Sequence, residues 1–294
     1  MYRHTVIDAY LAGEDWDEAP EEMAVEAEFG DILDESVRLL RELAADDSGG
    51  APSAGKKAKA ALRLFLRVPA LVNVALNYKI CAEHGLPLHP TVYYELAEAR
   101  RYDMRHSMAK LDQANRLYLA SIELARSAFR LDPGYPERAE AFKASLPEEI
   151  PRFVYTGIED KYSWRGARPA TLESLGRKVR GDYEPALLVA AAHGAIMPAL
   201  LLAEFMSLPL YFIRFSMFKR KDEAPILSVS DEVWLSSWKE KRVLLFDEDV
   251  AGGTTLELFT RRLGPLFAEA RSACSIRHAG ARFSPDYVGR YWCE

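Results

Sequence analysis

Val243-Leu-Leu-Phe-Asp-Glu-Asp-Val-Ala-Gly-Gly-Thr-Thr-Leu256 is the stretch that decides how the rest of the chain reads. Four apolar residues, Val243 to Phe246, have the length and composition of a buried parallel strand. Asp247 and Glu248 come next, then the small-residue turn Ala251-Gly-Gly-Thr-Thr255. A helix-like run from Leu256 to Leu263 follows, and Gly264-Pro265 closes it. That order builds a binding site. Glycines let the backbone approach a ligand closely, and amides opening a helix point at an anion. Carboxylates at the carboxyl end of a strand stand where open α/β sheets bind ligands. The hydroxyls of Thr254 and Thr255 can add hydrogen bonds to phosphate oxygens. The turn lacks both the lysine of a nucleotide P-loop and the three-glycine dinucleotide spacing.

Working outward, the flanks repeat the strand–helix rhythm. Pro185 to Ala192 is an apolar run ending in His193-Gly194-Ala195, and Pro198 to Met206 continues as a helix. Leu208 to Phe218 predicts a second strand, closed by Lys219-Arg220-Lys221. Asp222 to Lys241 is a long polar connection, and Ser272 to Ile276 is a further strand. Thr171 to Arg180 reads as a helix with Thr171 as its cap. The pattern predicts an α/β fold, a mostly parallel sheet flanked by helices with right-handed crossovers.

The N-terminal half has another character. Residues 32–45, 62–81 and 108–131 predict helices, the second interrupted near Pro69 and the third ended by Asp132-Pro-Gly. A short helix follows from Pro136 to Ser145. Asp46-Asp-Ser-Gly-Gly-Ala-Pro-Ser-Ala-Gly55 reads as a flexible linker. The chain therefore divides into a mainly α-helical region, 1–148, and an α/β domain, 149–294, with Phe153-Val-Tyr155 as a short strand. His84 and His89 near Cys81 are too few and too loosely spaced to hold a metal.

Composition limits the function classes. Hydrophobic residues make up 49% of the 294, which suits one large or two medium soluble domains. A formal net charge of -6 argues against nucleic acid as a main partner. Cys81, Cys274 and Cys293 are odd in number and unpaired in spacing, which predicts reduced thiols and a cytoplasmic protein. The N-terminus lacks a signal-peptide core, and the apolar run 186–192 is too short for a bilayer, so no membrane is expected.

The sequence of apolar strand, two acidic residues, short gap and small-Gly-x-Thr turn resembles the ribose-phosphate loop of the type I phosphoribosyltransferases. Asp247, Glu248, Gly253 and Thr255 match that pattern position by position. The resemblance covers about residues 171–294, with local similarity to hypoxanthine/guanine members of the family. It implies Mg²⁺-dependent transfer of 5-phosphoribosyl from phosphoribosyl pyrophosphate (PRPP) to a small acceptor, with release of pyrophosphate. On that reading Asp247 and Glu248 form the catalytic pair, holding ribose hydroxyls and, directly or through water, the metal. Ala251, Gly252, Gly253, Thr254 and Thr255 cradle the 5′-phosphate. Ala192, His193, Gly194 and Ala195 stand where the family binds pyrophosphate, and Lys219 and Lys221 reach toward the same group. Asp222 to Lys241 corresponds to the mobile hood. Ser284-Pro-Asp-Tyr-Val-Gly289 resembles the base-stacking segment, which assigns acceptor contacts to Tyr287 and Val288 and sets Glu294 near a second metal.

Three departures qualify what is implied. Ala251 stands where purine-specific members carry an Asp, and Gly252 where a Thr is usual. His193 and Ala195 depart from a loop that often carries Lys or Arg and two glycines. The acceptor is therefore open, and a non-catalytic PRPP or nucleotide sensor is the alternative. The expected partners are PRPP and a small-molecule acceptor, in nucleotide metabolism, with neither nucleic acid nor membrane. The apolar helical faces of the N-terminal half are expected to pack on the core or on a second subunit, as in a homodimer.

Overall fold

The computed structural model describes residues 6–45, 54–89, 92–217 and 221–293. In chain order the helices and strands are α1 (Val6–Tyr10), β1 (Val25–Glu28), α2 (Phe29–Ala44), α3 (Ala54–Arg67), α4 (Pro69–Glu83), α5 (Ala99–Tyr102), α6 (Met108–Phe129), α7 (Tyr135–Ala144), β2 (Val154–Gly157), α8 (Lys161–Gly166), α9 (Pro169–Asp182), β3 (Leu187–Ala192), α10 (Ile196–Met206), β4 (Leu210–Arg214), α11 (Val229–Ser236), β5 (Arg242–Val250), α12 (Thr254–Leu263), β6 (Glu269–His278) and β7 (Tyr287–Trp292). They form two compact units, one drawn from residues 6–15 and 19–159, the other from 16–18 and 160–293. Most of the linker, 46–53, lies outside the described residues, and its last two residues open α3.

The first unit is mainly helical. α2 buries Ile32, Leu33, Val37, Leu40 and Leu43 along one face, as its apolar spacing requires. Pro69, at the first turn of α4, ends α3, since proline cannot continue the preceding helix's hydrogen bonds. Residues 55–83 are long and apolar enough by composition to cross a bilayer, unlike the run 186–192, but 89% of their most apolar window is buried inside the structure. Ser107 caps α6 by accepting the Lys110 N–H. β2 pairs antiparallel with β1, from Val25↔Gly157 to Glu28↔Val154. The strand-like residues after 152 thus belong with the helices, and the division falls after 159 and not after 148.

The second unit is a five-stranded parallel sheet in the order β4-β3-β5-β6-β7. β3 and β4 are buried along their whole length, which is why both read as continuous apolar runs. β5 is nine residues long and runs through the acidic pair to Val250. β7 takes in Tyr287 and Val288 of the segment expected to stack on the acceptor base. Its Gly289 is required by close packing, because a Cβ there would lie 2.7 Å from the Ser275 carbonyl oxygen. α10 is buried at every position. Thr171 lies inside α9 and is buried, so it is not the cap. Trp16, from the short N-terminal segment, stacks on the fully buried Trp164 of α8 with ring centroids 4.3 Å apart.

Strand order fixes where a ligand can sit. From β3 the chain crosses outward to β4, and from β5 it crosses the other way to β6. The two connections therefore leave opposite sides of a crevice at the carboxyl ends of β3 and β5, the switch point at which open α/β sheets bind ligands.

The connection after β4 is more ordered than its polar composition predicts. The fully buried Arg214 guanidinium is paired with Asp222, at 2.9 Å (Nη2–Oδ1) and 3.2 Å (Nε–Oδ2). Further on, α11 is closed by a Ser228/Asp231 capping box. Tyr211 of β4 stacks on Trp234 at 4.1 Å and donates its hydroxyl to Asp231 at 2.7 Å. The segment expected to be a mobile hood is tied down at both places.

Candidate functional site

The parallel register sets β3 and β5 side by side, with Ala190 opposite Phe246. Two residues further on, β3 ends at Ala192 while β5 continues to Val250. There Gly194 lies directly under Glu248: a Cβ at 194 would run into the Glu248 carboxylate. From the other side Gly166 comes so close that a Cβ there would lie 3.0 Å from Glu248 Cβ. Asp247 is buried, and its Oδ1 accepts the Glu248 N–H at 3.1 Å. Glu248 Oε2 is buried and has no hydrogen-bond partner among the described residues.

Electrostatics follow from this packing. Burial pushes the Asp247 carboxyl above the ordinary carboxylate range. Glu248 is pushed well above it, first by burial and then by the neighbouring Asp247 charge. Asp249 is pushed up to about 6 by burial, with His278 acting against that rise. A group of buried and half-buried carboxylates that resist ionisation is a poor structural feature but a good receptor for a cation or for donor hydroxyls.

The turn after β5 closes the site. Gly253 has φ 95°, a left-handed conformation that favours glycine, and any Cβ would meet Phe283 Cβ at 2.5 Å. The Gly252 carbonyl accepts the Arg282 N–H at 3.1 Å, which pins the turn. The Glu257 N–H makes the bond to the Gly253 carbonyl, so the amides of Thr254, Thr255 and Leu256 have no acceptor within α12. Ala251, Gly252 and Thr254 are exposed, and Thr255 Oγ donates to Met217 Sδ at 3.6 Å. On the β3 side, the Ala192 carbonyl accepts the Phe215 N–H at 2.8 Å, the Ala192–His193 peptide is cis, and Ala195 precedes the first residue of α10.

The structure thus brings Asp247, Glu248, Gly194 and the turn 251–255 into one crevice. It separates Tyr287 from them. Tyr287 is level with Ala273 on β6, and its hydroxyl donates to Asp182 and accepts from Arg271 at 2.7 Å. Its ring is buried beside Tyr183, so it does not offer an open stacking face. Val288 is also buried, and its carbonyl accepts Lys178 Nζ at 3.0 Å. Lys221 is exposed, while Lys219 and Glu294 lie outside the described residues.

Over about two fifths of its length the chain resembles solved phosphoribosyltransferases. One is the purine phosphoribosyltransferase from Pyrococcus horikoshii Ot3, 26% identical, with 42% of this chain and 84% of that chain covered and a TM-score of 0.34. Another is the xanthine-guanine-hypoxanthine phosphoribosyltransferase of Helicobacter pylori, 19% identical over 42% and 79% of the two chains, TM-score 0.32. A hypothetical protein from Neisseria gonorrhoeae with bound ppGpp is 19% identical over 43% and 79%, TM-score 0.37. No family model matches the chain, and no curated protein does.

The carboxylate pair suits a magnesium ion. Mg²⁺ takes hard oxygen ligands and is commonly held by one or two carboxylates, with water and substrate phosphates completing the shell. Asp247 and Glu248 supply such oxygens, one of them buried without a partner. Among the described residues no group of three or more His, Cys, Asp or Glu forms a cage. The donor set fits an ion shared with a phosphorylated ligand.

Sequence reading passed over Asp249 and His278. His278 Nε2 lies 3.0 Å from Asp249 Oδ2, with the side chains 16% and 8% exposed. The only sequence-level signal was a third acid beside the pair; its partner lies 29 residues away.

Proposed function

We propose that this protein transfers the 5-phosphoribosyl group of PRPP to a small acceptor. The observation that carries the reading is the pair of the buried Asp247 and the half-buried Glu248, set against Gly194 at the switch point of the sheet, with the amides that open α12 beside it. In this reading the two carboxylates accept hydrogen bonds from the ribose hydroxyls. The amides of residues 254–256 and the Thr254 and Thr255 hydroxyls hold the 5′-phosphate. The loop 192–195 holds the pyrophosphate, where a protonated His193 would add a charge-assisted bond. Bound Mg²⁺ would neutralise charge on the departing pyrophosphate. The remainder of the rate enhancement would come from fixed orientation and exclusion of water. A cytoplasmic role in nucleotide metabolism accords with this chemistry.

A second reading, binding PRPP or a nucleotide without turnover, is favoured by the anchoring of the segment after β4, which restricts closure. Calorimetry with PRPP and Mg²⁺, followed by pyrophosphate release with a panel of purines, pyrimidines and aromatic acids, separates the two. Absence of PRPP binding at millimolar Mg²⁺ would remove both.

A further inference from the structure

An acceptor N–H that bonds to ribose must give up its proton, and nothing in the ribose and phosphate assignments above accepts it. Asp249 stands two residues beyond Asp247 on β5, and Ile276 is its register partner on β6. His278 lies two residues past Ile276, on the same face of the sheet. The pair is joined by the 3.0 Å contact between His278 Nε2 and Asp249 Oδ2. Among the described residues, Asp249 supplies the hydrogen bond to the His278 ring, at Nε2 and not Nδ1. The Tyr162 ring, 41% exposed, lies beside His278 with centroids 6.2 Å apart. On β7, Trp292 is the register partner of His278, and its buried indole N–H has no acceptor among the described residues.

Resting on the phosphoribosyl reading, we infer that His278, oriented by Asp249, is the proton acceptor for a planar N–H heterocycle that packs against Tyr162. Asp249, 3.0 Å away, accepts the Nε2–H, which fixes the tautomer and leaves the Nδ1 lone pair free. As the acceptor nitrogen bonds to C1′ of PRPP, the bond from C1′ to the pyrophosphate oxygen breaks. Its electron pair leaves with pyrophosphate. The N–H proton moves to Nδ1, giving an imidazolium that keeps its bond to Asp249. Asp249 is a positioning residue here; His278 and Tyr162 touch the acceptor.

Two measurements on the full chain test this. In ¹⁵N spectra of histidine-labelled protein at pH 7.5, the signal lost in His278→Gln should show the Nε2–H tautomer, and Asp249→Asn should shift it. An Nδ1–H tautomer overturns the assignment. The second measures pyrophosphate release from PRPP with guanine, hypoxanthine, adenine, uracil and orotate as probes. His278→Gly should lower kcat about 100-fold or more, keep PRPP affinity within about threefold, and recover on adding imidazole. Unchanged turnover, loss without imidazole rescue, or a wild type that binds PRPP but uses none of the five overturns the proposal. Failure of PRPP to bind in wild type and variants alike is instead the failure of the phosphoribosyl reading, and the spectra tell the two apart.

Discussion

The Glu248 carboxylate occupies the space into which a side chain at Gly194 would project. Strand β5 and the loop after β3, far apart in sequence, are therefore fitted to each other before any ligand arrives. Gly194→Ala should displace Glu248 and lower PRPP affinity by about tenfold or more, with a smaller change in thermal stability. Calorimetry of the variant checks this; an unchanged affinity would place the ribose elsewhere.

Neutralising the acidic pair is the broader test. Asp247→Asn with Glu248→Gln should abolish PRPP binding at millimolar Mg²⁺ and leave the far-ultraviolet spectrum unchanged. Burial already disfavours the charged forms of both groups, so removing the charges does not remove packing.

The raised carboxyl of Asp249 has a stability signature. Its folded-state value of about 6 lies above the ordinary 3.8, so the folded protein holds that proton more tightly than the unfolded chain. The stabilisation is complete below about 3.8 and is lost as pH rises through about 6. Asp249→Asn keeps an oxygen for His278 and cannot ionise. Its stability relative to wild type should rise between pH 4 and pH 7.5 by on the order of 3 kcal/mol, since each tenfold difference in proton affinity is worth about 1.4 kcal/mol. Denaturant titrations at both pH values report the difference, and a flat difference would contradict it.

Arg214 and Asp222 form a pair with side chains 0% and 1% exposed. Asp222→Ala leaves the guanidinium buried without that carboxylate and should cost about 3–5 kcal/mol. Replacing both, as Arg214→Met with Asp222→Leu, should recover much of the loss. If the double variant is as unstable as the single one, the pair is not the source of the cost.

Tyr287→Phe removes a hydroxyl bonded to Asp182 and Arg271 at a buried ring. It should cost about 1 kcal/mol of stability and leave turnover within about twofold. A large loss of activity would restore Tyr287 to the acceptor site.

The opening stretch around Asp247 was legible because strand, acids and turn are contiguous, and contiguous chemistry needs no knowledge of packing. β3 and β4 were legible for the related reason that burial on both faces leaves an unbroken apolar run. β7 was not, because Tyr287-Val-Gly-Arg-Tyr-Trp292 carries polar and glycine positions that an edge strand tolerates and a buried one does not. α11 was hidden by its serines, whose role as caps is visible only once Ser228 is seen to bond Asp231. The Asp249–His278 pair was unreadable for a different reason. Its members are brought together by adjacent strands, and no spacing rule spans the 29 residues between them.

The stacking of Trp16 on Trp164 also sets a timetable for biosynthesis. Trp16 leaves the ribosome first, but the helix that receives it is made only after the helical unit has been synthesised. At about 5–20 residues per second that interval is roughly 7–30 s. During it the indole of Trp16 lacks the ring that covers it in the folded chain. A protein shortened to begin at 149 or 160 would never receive that ring, and Trp164 would lose its stacking partner.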